Sequence, residues 1–210
     1  MSSADPFLPA DIADISKLRD AAKECHGCDL FARATQTVFG DGDDSAQVML
    51  VGEQPGDQED RQGTPFVGPA GDLLDRALSD AGLDRSSMYV TNAVKHFKWE
   101  ARGKVRLHKN PSAREIAACR PWLLAEIAAV RPSLVVCLGA TAARSLLGAE
   151  FRVTKGRGKV LPGPDGFPVL ATVHPASILR VRNHDERDAA FQSLVRDLQL
   201  ISAERHAGKK

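Results

Sequence analysis

Four short apolar runs constrain the fold of this chain more than any other feature. They are Gln47–Gly52, Met88–Asn92, Ser133–Gly139 and Pro168–Val173. Continuous apolar runs of this length are typical of strands buried on both faces. Amphipathic helical patterns separate and flank them, at Ile12–Cys25, Gly71–Ala81, Ser112–Ala129, Thr141–Leu147 and Asp185–Arg205. The alternation predicts an α/β fold, with a parallel sheet covered by helices on both sides.

The chain has 210 residues, no internal repeat and no long linker, so we predict one domain spanning residues 1–210. It contains no run of roughly 18 apolar residues that would span a bilayer. Its N-terminus lacks the basic-then-apolar order of a secretion signal. A cytoplasmic protein is therefore expected.

The net charge of +1 does not by itself indicate a nucleic-acid-binding protein, but the charges are unevenly distributed. Residues 95–109 carry one acid, Glu100, and six bases: Lys95, Lys98, Arg102, Lys104, Arg106 and Lys109. Residues 152–159 hold four bases and no acid. Two such loops offer local contacts for a phosphate backbone. The alternative is that both are solvated surface loops.

Polar and aromatic residues follow the predicted strands. In a parallel sheet the ligand site lies beyond the carboxyl ends of the strands, so these residues are expected to converge. They are Glu53 and Gln54 after the first run, Asn92 after the second, His174 after the fourth, and Phe66 between the first and second. A carboxylate, an amide, an imidazole and an aromatic face together can stack on a heterocycle, read its edge and stabilise charge as a bond breaks.

The four cysteines suggest a metal site. In a cytosolic chain the spacing Cys25-x-x-Cys28 favours metal binding or redox chemistry over a structural disulfide. With Cys119 they supply three thiolates, which suit an iron–sulfur cluster or zinc. Cys137 lies inside an apolar run, where a buried cysteine commonly acts as a small hydrophobic residue.

Motifs along nearly the whole chain resemble one family. They are Cys25-x-x-Cys28, Gly52-Glu-Gln-Pro-Gly56, Pro65-Phe-Val-Gly-Pro-Ala-Gly71, Tyr89-Val-Thr-Asn-Ala-Val-Lys-His96, Ala118-Cys-Arg-Pro-Trp122, Leu138-Gly-Ala-Thr-Ala142 and His174-Pro. Their types and order resemble the family 4 uracil-DNA glycosylases, and more closely the covalent branch called UdgX. The resemblance implies a three-layer α/β/α sandwich with a central four-stranded parallel sheet. It also implies excision of uracil that has been flipped out of DNA.

The resemblance implies a role for each loop residue. Phe66 would stack on the uracil, Asn92 would bind the pyrimidine edge, and His174 would support the O2 oxygen as charge develops. The remaining residues assigned to substrate binding are Gln54, Gly56, Asp57 and Arg106. The sequence leaves open whether Asp57 and Asp60 assist catalysis or cap the following helix.

Residues 101–110 resemble the UdgX insertion, a basic loop whose usual form is Lys-Arg-Arg-Ile-His. Here the loop reads Lys104-Val-Arg-Leu-His108, so one arginine is missing. The implied mechanism has Glu53 stabilising a cationic sugar and taking the proton that histidine loses. The neutral imidazole of His108 attacks C1′ and leaves a protein–DNA bond, while Arg106 holds the loop in place.

The resemblance also implies a [4Fe–4S] cluster. Val94-Lys95-His96 stands where the family has Val-Lys-Cys, so His96 is the expected fourth ligand, not Cys137. The predicted set is Cys25, Cys28, His96 and Cys119. The cluster is expected to tie the N-terminal turn to the segment carrying the active loop.

Three other functions remain possible from the sequence. The first is a hydrolytic family 4 glycosylase in which His108 is incidental, and the second is a non-enzymatic iron–sulfur protein that senses damage on DNA. The third is a zinc-binding module. For the favoured glycosylase the expected partner is uracil-containing DNA, preferably single-stranded, and the expected state is a monomer.

Overall fold

The computed structural model describes residues 2–207, with side chains described through Ser202. Residues 1 and 208–210 of the predicted single domain lie outside the described residues. The helices are α1 (Ile15–Ala22), α2 (Asp57–Gln62), α3 (Pro69–Asp80), α4 (Ala113–Val130), α5 (Ala140–Leu147), α6 (Val153–Gly156), α7 (Pro175–Leu179) and α8 (His184–Ala207). The strands are β1 (Asp41–Gly42), β2 (Val48–Gly52), β3 (Tyr89–Asn92), β4 (Trp99–Arg102), β5 (Val105–His108), β6 (Leu134–Leu138), β7 (Val160–Pro162) and β8 (Pro168–Thr172). Within residues 2–207, no helix has the length and apolar character needed to cross a membrane.

The main sheet has six strands in the order β1-β3-β2-β6-β8-β7. Its four central strands are parallel, with Leu50 of β2 paired to Val90 on one side and to Val136 on the other. These are the four strands expected from the apolar runs. The predicted central four-stranded parallel sheet is confirmed, and β1 and β7 extend it with antiparallel edges that the sequence did not predict. Both edges are only two or three residues long, too short to produce a periodic pattern.

Alternate residues of the central strands face opposite helical layers, because successive side chains of a strand point to opposite faces. Met49 and Val51 pack in one core with α1, α4 and α5. Val48 and Leu50 pack in a second core with α3, α7 and α8. The expected three-layer α/β/α sandwich is confirmed.

The predicted basic loop is part of a β-hairpin. Strands β4 and β5 pair antiparallel, with Trp99 opposite His108 and Arg102 opposite Val105. The chain reverses at Gly103, whose φ of +60° is readily adopted only by glycine. The expectation of a loop was wrong here, and the consequence is local: His108 lies at the base of a hairpin, where cross-strand hydrogen bonds fix its position.

Candidate active site

A cavity of about 100 Å³ lies at the carboxyl edge of the parallel strands. It is lined by Gln54, Gly56, Glu59, Phe66, Ala70, Asn92, His108, His174 and Ala176. The structure therefore brings together six of the residues that the sequence singled out, from five separate segments of the chain. The volume is well below the roughly 300–1,000 Å³ of sites for drug-sized ligands. It suits one small flat group.

Asn92 and Phe66 approach each other because residue 52 is glycine. A Cβ at Gly52 would lie 2.3 Å from Asn92 Oδ1 and 2.6 Å from Phe66 Cζ. Asn92 ends β3 and is 2% exposed, and its side-chain amide makes no hydrogen bond to any described residue. Among the described residues, every fully buried side-chain nitrogen or oxygen has a hydrogen-bond partner. The unpartnered Asn92 amide is therefore not fully enclosed, and it opens onto the cavity. It is free to bind a polar edge.

Phe66 is held in a strained conformation. Its φ is +56°, a region that residues with a Cβ rarely adopt. The chain folds back tightly over it, and a Cβ at Gly71 would lie only 1.9 Å from the Phe66 carbonyl oxygen. The Phe66 ring stacks on the His174 ring, with centroids 5.9 Å apart and planes inclined by 26°. Strain of this kind clusters at ligand-binding sites, where the surrounding structure maintains it.

His174 has a defined tautomer. It caps α7, and its Nδ1 accepts a hydrogen bond from the backbone N–H of Ala176 at 3.1 Å. Burial, with smaller contributions from His108 and Arg180, lowers the pKa of His174 to about 4. The ring is therefore neutral near pH 7, and its one proton resides on Nε2. His174 can donate a hydrogen bond without carrying a charge.

Glu53 follows β2, and each of its carboxylate oxygens has a neighbour. Oε2 accepts a hydrogen bond from the hydroxyl of Thr141, in the first turn of α5. Oε1 lies 3.7 Å from Nε2 of His108. Thr141 thus orients the carboxylate so that its other oxygen faces the imidazole. Sequence reasoning included Thr141 in a motif but gave it no role.

Gln54 holds both ends of the hairpin. Its Oε1 accepts from the backbone N–H of Lys98 at 3.2 Å, and its Nε2 donates to the carbonyl of Lys109 at 3.0 Å. The same Nε2 lies 3.0 Å from Nε2 of His108. The backbone partners identify which end of the Gln54 amide is the nitrogen. His108 Nε2 must therefore accept a hydrogen bond from it, and the ring proton of neutral His108 is on Nδ1.

His108 is partly accessible, with 41% of its side chain exposed. Burial lowers its pKa below the usual 6.5; Glu53 raises it and Arg180 lowers it further by smaller amounts. The imidazole is therefore largely neutral at pH 7. A neutral ring with an unprotonated Nε2 at the edge of the cavity has the chemistry of a nucleophile.

Arg106 fixes the hairpin to α2. Its guanidinium forms ion pairs with Asp57 and with the fully buried Asp60, the latter at 2.6 Å. It also lies 5.4 Å from the ring centroids of Phe97 and Trp99. The structure therefore places Asp57 and Arg106 in a clamp on the hairpin, and Asp60 completes the clamp. Their predicted assignment to substrate binding stays a prediction.

Most bases of the run at 95–109 are neutralised within the protein. Carboxylates pair with Lys95, Lys98, Arg106 and Lys109. Among the described residues, no carboxylate lies within ion-pair distance of Arg102 or Lys104, at the hairpin turn. The interpretation of the run as one basic surface was wrong for Lys95, which is 1% exposed. Acids outside the run, Glu126, Glu115 and Asp57, supply three of the four partners, and Glu100 within the run supplies the fourth.

Glu59 lines the cavity and was missed from the sequence. Its two oxygens accept from the backbone N–H groups of Gly56 at 3.0 Å and Gly68 at 2.9 Å. One carboxylate thus joins the two glycine-rich loops that form the cavity. The available signal was its place as the third residue of α2, the acidic position of a capping box.

All four cysteines are free and buried, but only three are near one another. Burial is the main cause that raises the pKa of Cys119 to about 12, and Cys28 and Cys25 lie close enough to contribute to the rise. Two N–H groups point at these sulfurs, from Trp122 Nε1 to Cys25 at 3.2 Å and from the Lys95 backbone to Cys119 at 3.3 Å. Burial alone raises the pKa of Cys137, in β6, and no charged neighbour contributes.

His96 is buried, and one of its ring nitrogens is committed. Its Nε2 lies 2.9 Å from the Thr37 hydroxyl, whose own proton is donated to the carbonyl of Ala22. His96 Nε2 must therefore carry the proton, which leaves a lone pair on Nδ1. In the described part of the chain, no group of three or more His, Cys, Asp or Glu side chains is arranged to hold a single metal ion.

Comparison with known proteins agrees with this architecture. The model of the uracil DNA glycosylase superfamily matches residues 39–199. The chain is 34% identical to the type-4 uracil-DNA glycosylase of Thermotoga maritima over 186 residues, 88% of this chain and 93% of that relative. It is also 34% identical to the type-4 uracil-DNA glycosylase of Archaeoglobus fulgidus over 191 residues, 86% of this chain and 92% of that relative. This protein belongs to the uracil DNA glycosylase superfamily.

Proposed function

We propose that this protein is a uracil-DNA glycosylase that captures the resulting sugar through His108. One observation carries the proposal: Phe66, Asn92 and His174 surround a cavity that suits one pyrimidine, and His108 and Glu53 lie at its edge. The similarity to type-4 enzymes supports the excision step. The capture step rests on the hairpin that carries His108.

Base recognition follows from the cavity wall. The extruded uracil stacks on Phe66, whose strained backbone fixes the ring. The Asn92 amide offers one acceptor and two donors to the pyrimidine edge, so it distinguishes uracil from cytosine by which hydrogen bonds are satisfied. The neutral His174 donates from Nε2 to O2 and stabilises the negative charge that develops on the leaving base.

Cleavage and capture divide the chemistry between Glu53 and His108. As the glycosidic bond breaks, its electron pair leaves with the base, and the sugar becomes an oxocarbenium-like cation. The Glu53 carboxylate stabilises that cation. The His108 Nε2 lone pair then leaves its hydrogen bond with Gln54 and forms a bond to C1′, and the Nδ1 proton is released to water. Since Glu53 contacts the Nε2 side of the ring, we assign it to the cation rather than to the departing proton.

DNA reaches the site as an extruded nucleotide, because the glycosidic bond is inaccessible inside the stacked duplex. Flipping costs a few kcal/mol and costs least in single strands, which we propose as the preferred substrate. Arg102 and Lys104, the bases of the hairpin that have no described carboxylate partner, are the groups we propose for contacts with phosphate.

A denaturing gel tests both steps. A labelled single strand with one uracil is incubated with the protein and run in SDS, with and without alkaline cleavage of abasic sites. We expect a DNA–protein adduct that survives SDS and is absent with His108→Gly. Free abasic product with multiple turnover would refute capture and leave the glycosylase. No adduct and no abasic product would refute both.

We further propose that Cys25, Cys28, Cys119 and His96 hold a [4Fe–4S] cluster. A single ion needs all its ligands within about 2.3 Å of one point, whereas each ligand of a cluster binds a different iron. The three grouped thiols, the N–H donors to two of them, and the free lone pair of His96 Nδ1 fit a cluster better than zinc. Iron would displace the thiol protons. The cluster would tie the N-terminal turn to the segment that follows β3.

A further inference from the structure

Lys95 is almost completely buried and forms an ion pair with Glu126, which is also buried. The lysine ammonium has three N–H donors and three oxygen acceptors: Glu126 Oε2, Thr91 Oγ1 at 2.7 Å and the Asn92 carbonyl at 2.7 Å. Glu126 in turn accepts from the backbone N–H of Gly40 and the hydroxyl of Tyr89. Every strong polar group of this pair is therefore satisfied.

Stability alone does not account for such a pair. Removing two charges from water is costly, and replacing a buried ion pair by apolar side chains is often neutral or stabilising. Buried lysines are also rare. The contacts of Lys95 therefore indicate a different role, and the contact with Asn92 connects it to the cavity.

The chain bends at residues 93–96, and no hydrogen bond joins the backbone N–H of Lys95 to the Asn92 carbonyl. In an ordinary β-turn the first carbonyl accepts from the backbone N–H of the fourth residue. Here the Asn92 carbonyl accepts from the Lys95 side chain instead, and the Lys95 backbone N–H donates to Cys119 Sγ. The Asn92–Ala93 peptide is therefore held on both sides: the Ala93 N–H donates to the Gly52 carbonyl at 2.9 Å, and the Asn92 carbonyl accepts from the Lys95 side chain, which is anchored to Glu126.

We infer that Lys95 is a positioning residue for base recognition. Together with the hydrogen bond from Ala93 to Gly52, its ammonium fixes the Asn92 peptide and so the direction in which the Asn92 amide meets the base. The amide itself makes no hydrogen bond to any described residue, so its direction depends strongly on its own backbone. The inference rests on the proposed function, because it assigns Lys95 to the step in which uracil is told from cytosine.

Binding, rather than turnover, isolates this role. The probes are two single-stranded DNAs that differ at one site, carrying 2′-fluoroarabinouridine or 2′-fluoroarabinocytidine, whose electron-withdrawing fluorine suppresses bond cleavage. Fluorescence anisotropy gives the ratio of the two Kd values. The variant Lys95→Met with Glu126→Gln removes both charges together and keeps a hydrogen-bond acceptor at residue 126. We expect its preference for uracil to fall by about tenfold, the effect of one hydrogen bond to a charged group.

A double-mutant cycle separates positioning from general damage. If Lys95 acts through Asn92, the charge-removing variant changes nothing further once Asn92 is alanine. Independent, additive losses would overturn the inference. Tyr89→Phe is the matched control, because it removes a hydrogen bond to Glu126 and leaves all three Lys95 contacts. Its preference is expected to stay within about twofold of the unsubstituted protein, since it deletes only one neutral partner of the network.

Thr91→Val provides a second route if the charge-removing variant does not fold, as judged by its thermal unfolding. It keeps both charges and removes one acceptor of the ammonium, together with the hydroxyl that donates to Glu126. A smaller loss of preference in the same direction is expected, and an unchanged ratio would count against Lys95. Equal binding of both DNAs by the unsubstituted protein would instead refute the proposed function. Preserved preference in the folded charge-removing variant would refute only the role of Lys95.

Discussion

Gln54 Nε2 lies 3.0 Å from His108 Nε2, and it donates into that nitrogen while also holding both ends of the hairpin that carries His108. One amide therefore sets the position of the candidate nucleophile and its tautomer. Glu53 approaches the same nitrogen at 3.7 Å. The arrangement keeps the imidazole neutral, with the Nε2 lone pair held by the Gln54 amide at the edge of the cavity.

Gln54→Glu is expected to suppress capture while excision continues. A carboxylate can only accept, so it favours a proton on His108 Nε2 and leaves the carbonyl of Lys109 without a donor. The rate of adduct formation should fall by about 100-fold, the scale of a lost proton-transfer partner. Single-turnover gels that separate adduct from free abasic product measure both steps. Equal losses in the two would indicate damage to the whole site.

Adduct formation should depend on pH through His108. Its pKa is lowered below 6.5, chiefly by burial, and only the neutral ring attacks. The rate should be flat from pH 7 upward and fall as the pH drops through a midpoint below 6.5. Excision by His108→Gly, measured over the same range, corrects for the cleavage step. A midpoint above 6.5 would contradict the assignment.

Protonation of His174 should limit excision at lower pH. Its pKa is about 4, and protonation places a proton on Nδ1, where the Ala176 N–H now donates. Because the folded pKa is depressed, the unfolded chain binds the extra proton more readily between about pH 6.5 and 4. The free energy of unfolding should decrease as the pH falls through that window, whereas excision by His108→Gly should fall only near pH 4, where the folded protein itself binds the proton. The same unfolding profile in His174→Asn would show that another group is responsible.

Gly52→Ala should close the base pocket. The new Cβ would lie 2.3 Å from Asn92 Oδ1 and 2.6 Å from Phe66 Cζ, so both side chains must move. We expect excision to fall by at least about 100-fold, with a stability cost of about 1–3 kcal/mol from overpacking. Gly82→Ala is the control: its Cβ meets nothing within 4 Å, although φ is +73°. It should lose stability and keep activity.

Arg106→Lys should loosen the hairpin. Lysine lacks the planar guanidinium of arginine. In Arg106 this group pairs with Asp57 and Asp60 and lies near two aromatic rings, those of Phe97 and Trp99. Adduct formation should fall by about tenfold, the value of one charge-assisted contact, with excision less affected. Arg102→Lys, on the same hairpin, is the matched control and should keep capture. Similar capture by both variants would show that the ion pairs of Arg106 with Asp57 and Asp60 do not control capture.

Iron content should separate the two candidate fourth ligands. His96→Ala should lower the iron per protein and the visible absorbance, because it removes the free Nδ1 lone pair. Cys137→Ala should leave both unchanged, since Cys137 lies in β6 and burial alone, with no contribution from another cysteine, raises its pKa. The opposite pattern would overturn the ligand assignment.

The local sequence pattern was sufficient to predict the central strands of the sheet. The four central strands followed from continuous apolar runs, because burial on both faces requires apolar residues throughout. The polar residues after those runs converged, because the carboxyl ends of parallel strands meet at one edge. That geometry, rather than any single motif, placed Asn92 and His174 on one cavity.

Only the tertiary structure decided which groups are paired and how they point. Lys95 belonged to a basic run in the sequence, yet Glu126 neutralises it from a helix that is distant along the chain. Trp99 and His108 became partners in a hairpin whose charged, exposed residues carry little strand pattern. The hydrophobic pattern of a segment indicates which of its faces is buried. Ion pairs, histidine tautomers and the Arg106 clamp depend instead on contacts between residues distant in the sequence, which the pattern of one segment does not contain.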